Sequence, residues 1–149
     1  MSTLKEYKIQ NVFDAARERI AYIFDNFQSI YVSFSGGKDS TVMLHMVMDE
    51  AIKRGRVVGV LIIDLEAQYK ITMQHVFEML ALYADYIDLF WVCLPMLLRN
   101  AVTQFEPRWC CWEPEAKNIW VRDIPTSPIT GSVISDPAYF SFFEPHMEF

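Results

Sequence analysis

The residues best placed to do chemistry are Ser33-Phe34-Ser35-Gly36-Gly37-Lys38-Asp39-Ser40. They follow an apolar, β-branched stretch (Ile30, Tyr31, Val32) and open an apolar run that extends to Arg54. A strand, a glycine turn and a helix N-terminus in that order form an anion site. Glycines let the backbone approach an oxyanion closely. Unpaired N–H groups at the helix start point at it, and the helix dipole favours negative charge there. Lys38 adds a point charge, and Ser33, Ser35 and Ser40 add hydroxyl donors. Asp39 is either a cap of the following helix or a ligand for a hard cation, and both roles are compatible.

Other candidates are single residues with two readings each. Asp64 closes the apolar run 57–63, where a carboxylate reaches a ribose hydroxyl or a metal, or else caps a turn. Glu66 is a weaker candidate of the same kind. His45 lies within an apolar helical stretch and reads as a core histidine; His75 and His146 show no partner pattern. Arg99, Arg108 and Arg122 stand among Phe105, Trp109, Trp112 and Trp120. Arginines between aromatics suit a planar or anionic group, and equally suit a surface whose arginine stems cover core tryptophans. Cys93, Cys110 and Cys111 read as buried thiols.

The elements that must position these groups alternate. Residues 11–27 are expected to form an amphipathic helix, with Phe13, Ala16, Ile20, Ile23 and Phe27 at helical spacing and Asn11 as N-cap. A strand is expected at 29–34. A helix is expected at 40–54, apolar nearly all round in its first half (Val42, Met43, Leu44, Met46, Val47) and stopped by Gly55. The run 57–63 reads as a buried parallel strand. A helix at 69–83, a strand at 86–92 and, after Pro95, a short helix at 96–104 complete the series. Such alternation implies right-handed βαβ units and a parallel α/β sheet, with the loops after Ser35, Asp64 and Leu94 converging at its carboxyl edge. Residues 1–124 are expected to form this α/β domain. Residues 125–149 form a proline- and aromatic-rich tail (Tyr139, Phe140, Phe142, Phe143, Phe149) that packs on the domain or on a partner.

Composition bounds the function. A chain of 149 residues with 52% apolar and 21% charged residues can bury one core. A net charge of −6 does not indicate a nucleic-acid backbone footprint. No apolar run has membrane-spanning length, the first ten residues are too polar for a signal peptide, and three cysteines fit a reducing, cytoplasmic setting.

The spacing SGGKDS differs from the GxxxxGK[ST] loop of common NTPases. It is identified as the PP-loop of the ATP-pyrophosphatase superfamily, whose fold is an α/β Rossmann-like parallel sheet flanked by helices (adenine nucleotide alpha hydrolase-like). Within it, Ser33 to His45 and Ile62-Ile63-Asp64 resemble the phosphoadenosine-phosphosulfate (PAPS) reductase-like branch. LRNAVTQFEPRWCCWEPE and NIWVR resemble the immunoglobulin-binding-regulator-A-type proteins of bacteria and phages, which often accompany a ParB-like partner. The resemblance implies that Ser35 to Ser40 hold ATP, or a related adenine nucleotide such as PAPS. It also implies that Lys38, Asp39 and Asp64 act in catalysis, that Asp39 ligates Mg²⁺, and that AMP passes to an acceptor as pyrophosphate leaves. Arg99, Arg108 and Arg122 are then candidates for the acceptor or the α-phosphate.

Two departures bear on this. Sulfonucleotide reductases usually have a degenerate loop and a nucleophilic C-terminal cysteine, whereas here the loop is intact and no cysteine follows Cys111. Some reductases hold an iron–sulfur cluster on a Cys-Cys pair plus a distant CxxC, and three thiols without a CxxC cannot supply four thiolates. Three functions stay open: an adenylyl-transferring enzyme, a non-catalytic nucleotide-binding interaction module that self-associates or binds a partner through its aromatic tail, and a thiol-dependent reductase. The chain is expected to be shorter than its relatives.

Overall fold

The computed structural model describes residues 9–127, 129 and 133–149. The polar N-terminal stretch up to Lys8, and Pro128 of the tail, lie outside the described residues.

Four strands form one parallel sheet in the order β1 (Tyr31–Ser33), β2 (Val58–Ile63), β3 (Ile87–Val92) and β6 (Val133–Ile134). Helices α1 (Val12–Asn26), α2 (Lys38–Arg54) and α3 (Lys70–Leu82) flank it. The fold is α/β. Strands β4 (Leu97–Arg99) and β5 (Arg108–Cys110) make a separate antiparallel hairpin.

The helix ends follow their capping chemistry. Asn11 accepts from the Asp14 N–H at 2.8 Å and starts α1. Gly55, at φ +61°, ends α2 in a left-handed turn. The buried side of α1 is Ile20 and Phe24; Phe13, Ile23 and Phe27, expected on that stripe, are exposed. Val42 and Met43, expected to be buried, are 58% and 46% exposed. Helix α2 buries one stripe, Leu44, Val47, Met48 and Ala51.

One face of the sheet is closed by Val58, Val60, Ile62, Leu89 and Trp91, against which Val76 and Leu80 of α3 pack. On β2 the intervening residues are only partly buried. Leu61 and Phe90, with Val92 and Ile134, meet Phe140 and Phe143 in a second cluster. Phe142 and Phe149 stay exposed.

The helix expected at 96–104 is absent. Leu97 to Arg99 instead pairs across to Arg108 to Cys110. Asn100 Oδ1 takes the Val102 N–H and Thr103 Oγ1 takes the Phe105 N–H. These local side-chain bonds divert the donors a helix would need.

Candidate functional site

The loop between β1 and α2 is the sequence motif in physical form. Gly36 sits at φ +74°, a conformation that L side chains rarely adopt. A methyl group there would stand 2.8 Å from Val76 Cγ2 and 2.9 Å from Thr72 Cγ2. Only glycine lets the loop lie against α3. Gly37 is the N-cap of the 17-residue α2, and among the described residues no side chain caps that helix. Its first N–H groups therefore remain available to an anion.

The hydroxyls knit the turn. Ser40 Oγ donates to Gly37 O at 2.9 Å and lies 3.1 Å from Ser35 Oγ, which accepts the Gly37 N–H at 3.4 Å. A Cβ on Gly37 would meet Ser35 Oγ at 3.5 Å and Ser40 Oγ at 4.0 Å, filling the space between the two hydroxyls. Thr41 Oγ1 also donates to Gly37 O, at 2.9 Å, which leaves His75 Nε2 as the donor in its 2.9 Å contact with Thr41. His75 thus braces the loop from α3. The Lys38 and Asp39 side chains are 90% and 94% exposed and only 3.9 Å apart. Ser33, on the edge strand, is exposed as well.

Asp64 is placed differently. It is 2% exposed. Its Oδ1 accepts the Glu66 N–H at 2.9 Å and a bond from Arg122 Nη2, and its Oδ2 accepts Trp91 Nε1–H at 2.8 Å. The carboxylate is occupied by this chain's own donors. Its neighbour Glu66, at φ +64° and 3% exposed, accepts the N–H groups of Trp112 (2.7 Å) and Val121 (2.8 Å). Together the two acids bind the segment 112–122 to the end of β2. Arg122 stacks 5.0 Å from the Trp112 ring centre, and its Nε is a buried nitrogen without a partner among the described residues.

Arg99 and Arg108 face each other in register on the β4–β5 hairpin. Arg108 pairs with Glu148. With Leu97, Leu98 and Phe149 these groups line a pocket of about 310 Å³. The candidate arginines therefore occupy two settings, a surface hairpin and a partly buried pair with Asp64.

The three cysteines are free thiols, with Cys93 and Cys111 buried. Burial pushes all three upward, Cys110 to about 12 and Cys111 to about 11. Cys110 is raised further by Glu113, the hydrogen bond to it first and its charge next. His45, expected in the core, is only partly buried, and it bonds Tyr83 Oη at 2.5 Å. His146, which has no pattern in the sequence, meets Glu113 Oε2 at 2.5 Å. The donor atoms of Cys110, Glu113 and His146 all lie within 4.8 Å of one another. The only local signal for this group is the Cys-x-x-Glu spacing; its third member is 33 residues further on.

The strand, the glycine turn, the uncapped helix and the strands beside them fall in one stretch that has a known counterpart. Residues 29–95 match the phosphoadenosine phosphosulfate reductase domain. The PAPS reductase domain match runs from the residues leading into β1 through β3 and contains the whole loop. The chain is also 43% identical over 147 residues to Uncharacterized protein YbdN of Escherichia coli (strain K12), covering 96% of this chain. It spans 34% of that relative's length. No solved structure matches. Among the described residues no helix is long and apolar enough to cross a membrane.

Proposed function

We propose that the chain is a PP-loop module that binds the phosphates of an adenine nucleotide, ATP or a relative such as PAPS, at Ser35 to Ser40, and, when the nucleotide is ATP, transfers AMP to an acceptor. One observation carries the reading. An uncapped 17-residue helix presents its N-terminus behind two glycines, with Lys38 exposed beside it. The match of residues 29–95 to a domain named for a sulfonucleotide substrate supports an adenine nucleotide as the ligand.

With ATP as the nucleotide, the loop holds the β- and γ-phosphates through backbone N–H groups, the serine hydroxyls and Lys38. An acceptor oxygen attacks the α-phosphorus, the bond to the bridging oxygen breaks, and pyrophosphate departs with its charge met by Lys38. Asp39, exposed at the helix start, fits a hard cation. When bound, Mg²⁺ would supply further neutralisation of the departing phosphates. Asp64 serves by holding Arg122, and the guanidinium so positioned is the arginine offered to the α-phosphate or an anionic acceptor. Arg99, with Arg108 beside it in its pair with Glu148, offers a second cationic contact for an anion on the hairpin.

A second reading is a nucleotide-binding interaction module without turnover. The exposed Phe142 and Phe149 favour it, and the resemblance to the immunoglobulin-binding-regulator-A-type proteins would make its partner ParB-like, or a second copy of the chain. Thiol-dependent reduction has the least support, because Cys93 and Cys111 are buried and the thiols hold their protons. Titration with ATP·Mg²⁺ and with PAPS, followed by an assay for pyrophosphate release, tests the reading. Binding with release across an acceptor screen supports the enzyme, binding without release the module, and no binding of either nucleotide refutes both.

A further inference from the structure

We infer that Cys110, Glu113 and His146 form a three-ligand site for Zn²⁺ with its fourth position open to solvent. The inference uses none of the loop residues and stands independently of the nucleotide reading.

The three groups reach one point from three pieces of backbone, each tied down. Cys110 ends β5, and the next residue, Cys111, gives its N–H to Met96 O at 3.1 Å. Trp112 turns the chain at φ +52° and is held by Glu66, which swings Glu113 back toward Cys110. His146, at φ +69°, gives its N–H to Pro95 O at 2.9 Å. The following residues run beside β4, with Leu97 N–H on Met147 O at 2.8 Å and Phe149 N–H on Leu97 O at 3.1 Å.

The chemistry selects the ion. A thiolate, an imidazole and a carboxylate are the ligand types of zinc, and three protein ligands leave the open position of a catalytic-type centre. Magnesium and calcium take oxygen ligands and are disfavoured by sulfur and nitrogen. Zinc bonds of about 2.0–2.3 Å place tetrahedral ligand atoms roughly 3.3–3.8 Å apart. The three donor atoms already lie within 4.8 Å of one another. The His146–Glu113 bond, at 2.5 Å, needs only to open as both groups turn to the ion. Zinc here joins 144–149 to the hairpin and the 112–122 segment, and so fixes the surroundings of Arg108 and Arg122.

The test is a titration of the chelator-treated, 149-residue chain with Co²⁺ alone, followed by Zn²⁺ displacement. We expect one ion per chain, a thiolate-to-cobalt charge-transfer band, and intensified visible bands of a tetrahedral centre. Cys110→Ser removes the charge-transfer band. His146→Ala, on an exposed side chain, lowers affinity at least about 100-fold, beyond the loss typical of an outer-shell partner. Absence of the band in the unaltered chain overturns the proposal whatever the variants do. So does binding seen only at millimolar metal, or binding that both substitutions leave unchanged.

Discussion

Arg122 and Asp64, 58 residues apart in sequence, form an ion pair at the carboxyl end of β2, where the Asp64 side chain is only 1% exposed and that of Arg122 21%. Trp91 and the Glu66 N–H complete the shell around the carboxylate. Removing one partner of such a pair strands the other charge. We expect Asp64→Ala to destabilise the fold by about 3 kcal/mol, read as a lower urea midpoint with an unchanged slope. A loss below about 1 kcal/mol, the range of exposed pairs, would show that the pair does not hold the 112–122 segment.

Gly36 and Gly55 both have positive φ but differ in surroundings. Among the described residues, no atom outside the local backbone lies within 4 Å of a Cβ added at Gly55, whereas at Gly36 two side chains of α3 lie under 3.0 Å. Gly55→Ala should therefore carry only the left-handed penalty, about 1 kcal/mol. Gly36→Ala adds the overpacking cost and should lose roughly 2–4 kcal/mol in total. Thermal melts of the two variants check the order; equal losses would mean that the loop does not rest on α3.

The thiols set an alkaline limit. Burial raises Cys111 to about 11 in the folded chain from an ordinary value of 9.0, and Cys93 is raised also. Between those values the unfolded chain has released protons that the folded chain keeps, so stability falls as pH rises. It is complete below about pH 9 and declines steadily toward pH 11. Alkylation of Cys93 and Cys111 at neutral pH should require unfolding. Denaturant midpoints across that range, with mass spectrometry of iodoacetamide-treated chain, measure both effects.

What could be read from the sequence was local. The loop, the Asn11 cap, the Gly55 stop and the strands β2 and β3 are set by residues within a few positions of one another, and the structure has them. The expected helix at 96–104 was not legible, because its alternative is a pairing with residues 108–110 and turn bonds from Asn100 and Thr103. Val42 and Met43 look buried by composition, yet their exposure depends on where α1 and the sheet lie. His146 acquires its neighbours only because the 144–149 segment returns beside β4. Asp64 was legible as an important carboxylate, but its inward hydrogen bonds depend on Trp91 and Arg122, which only the fold brings to it.

The most direct test of a working phosphate loop is calorimetric titration of ATP·Mg²⁺ into the unaltered chain and into Lys38→Ala. The Lys38 side chain is 90% exposed, so its removal should leave the melting temperature unchanged. A charge-assisted contact to phosphate contributes about 1.5–3 kcal/mol, so affinity should fall roughly 10- to 100-fold. Saturable binding that weakens by that amount is the expected result. No heat from the unaltered chain, or equal affinities for the two, would contradict a functioning nucleotide site at Ser35 to Ser40.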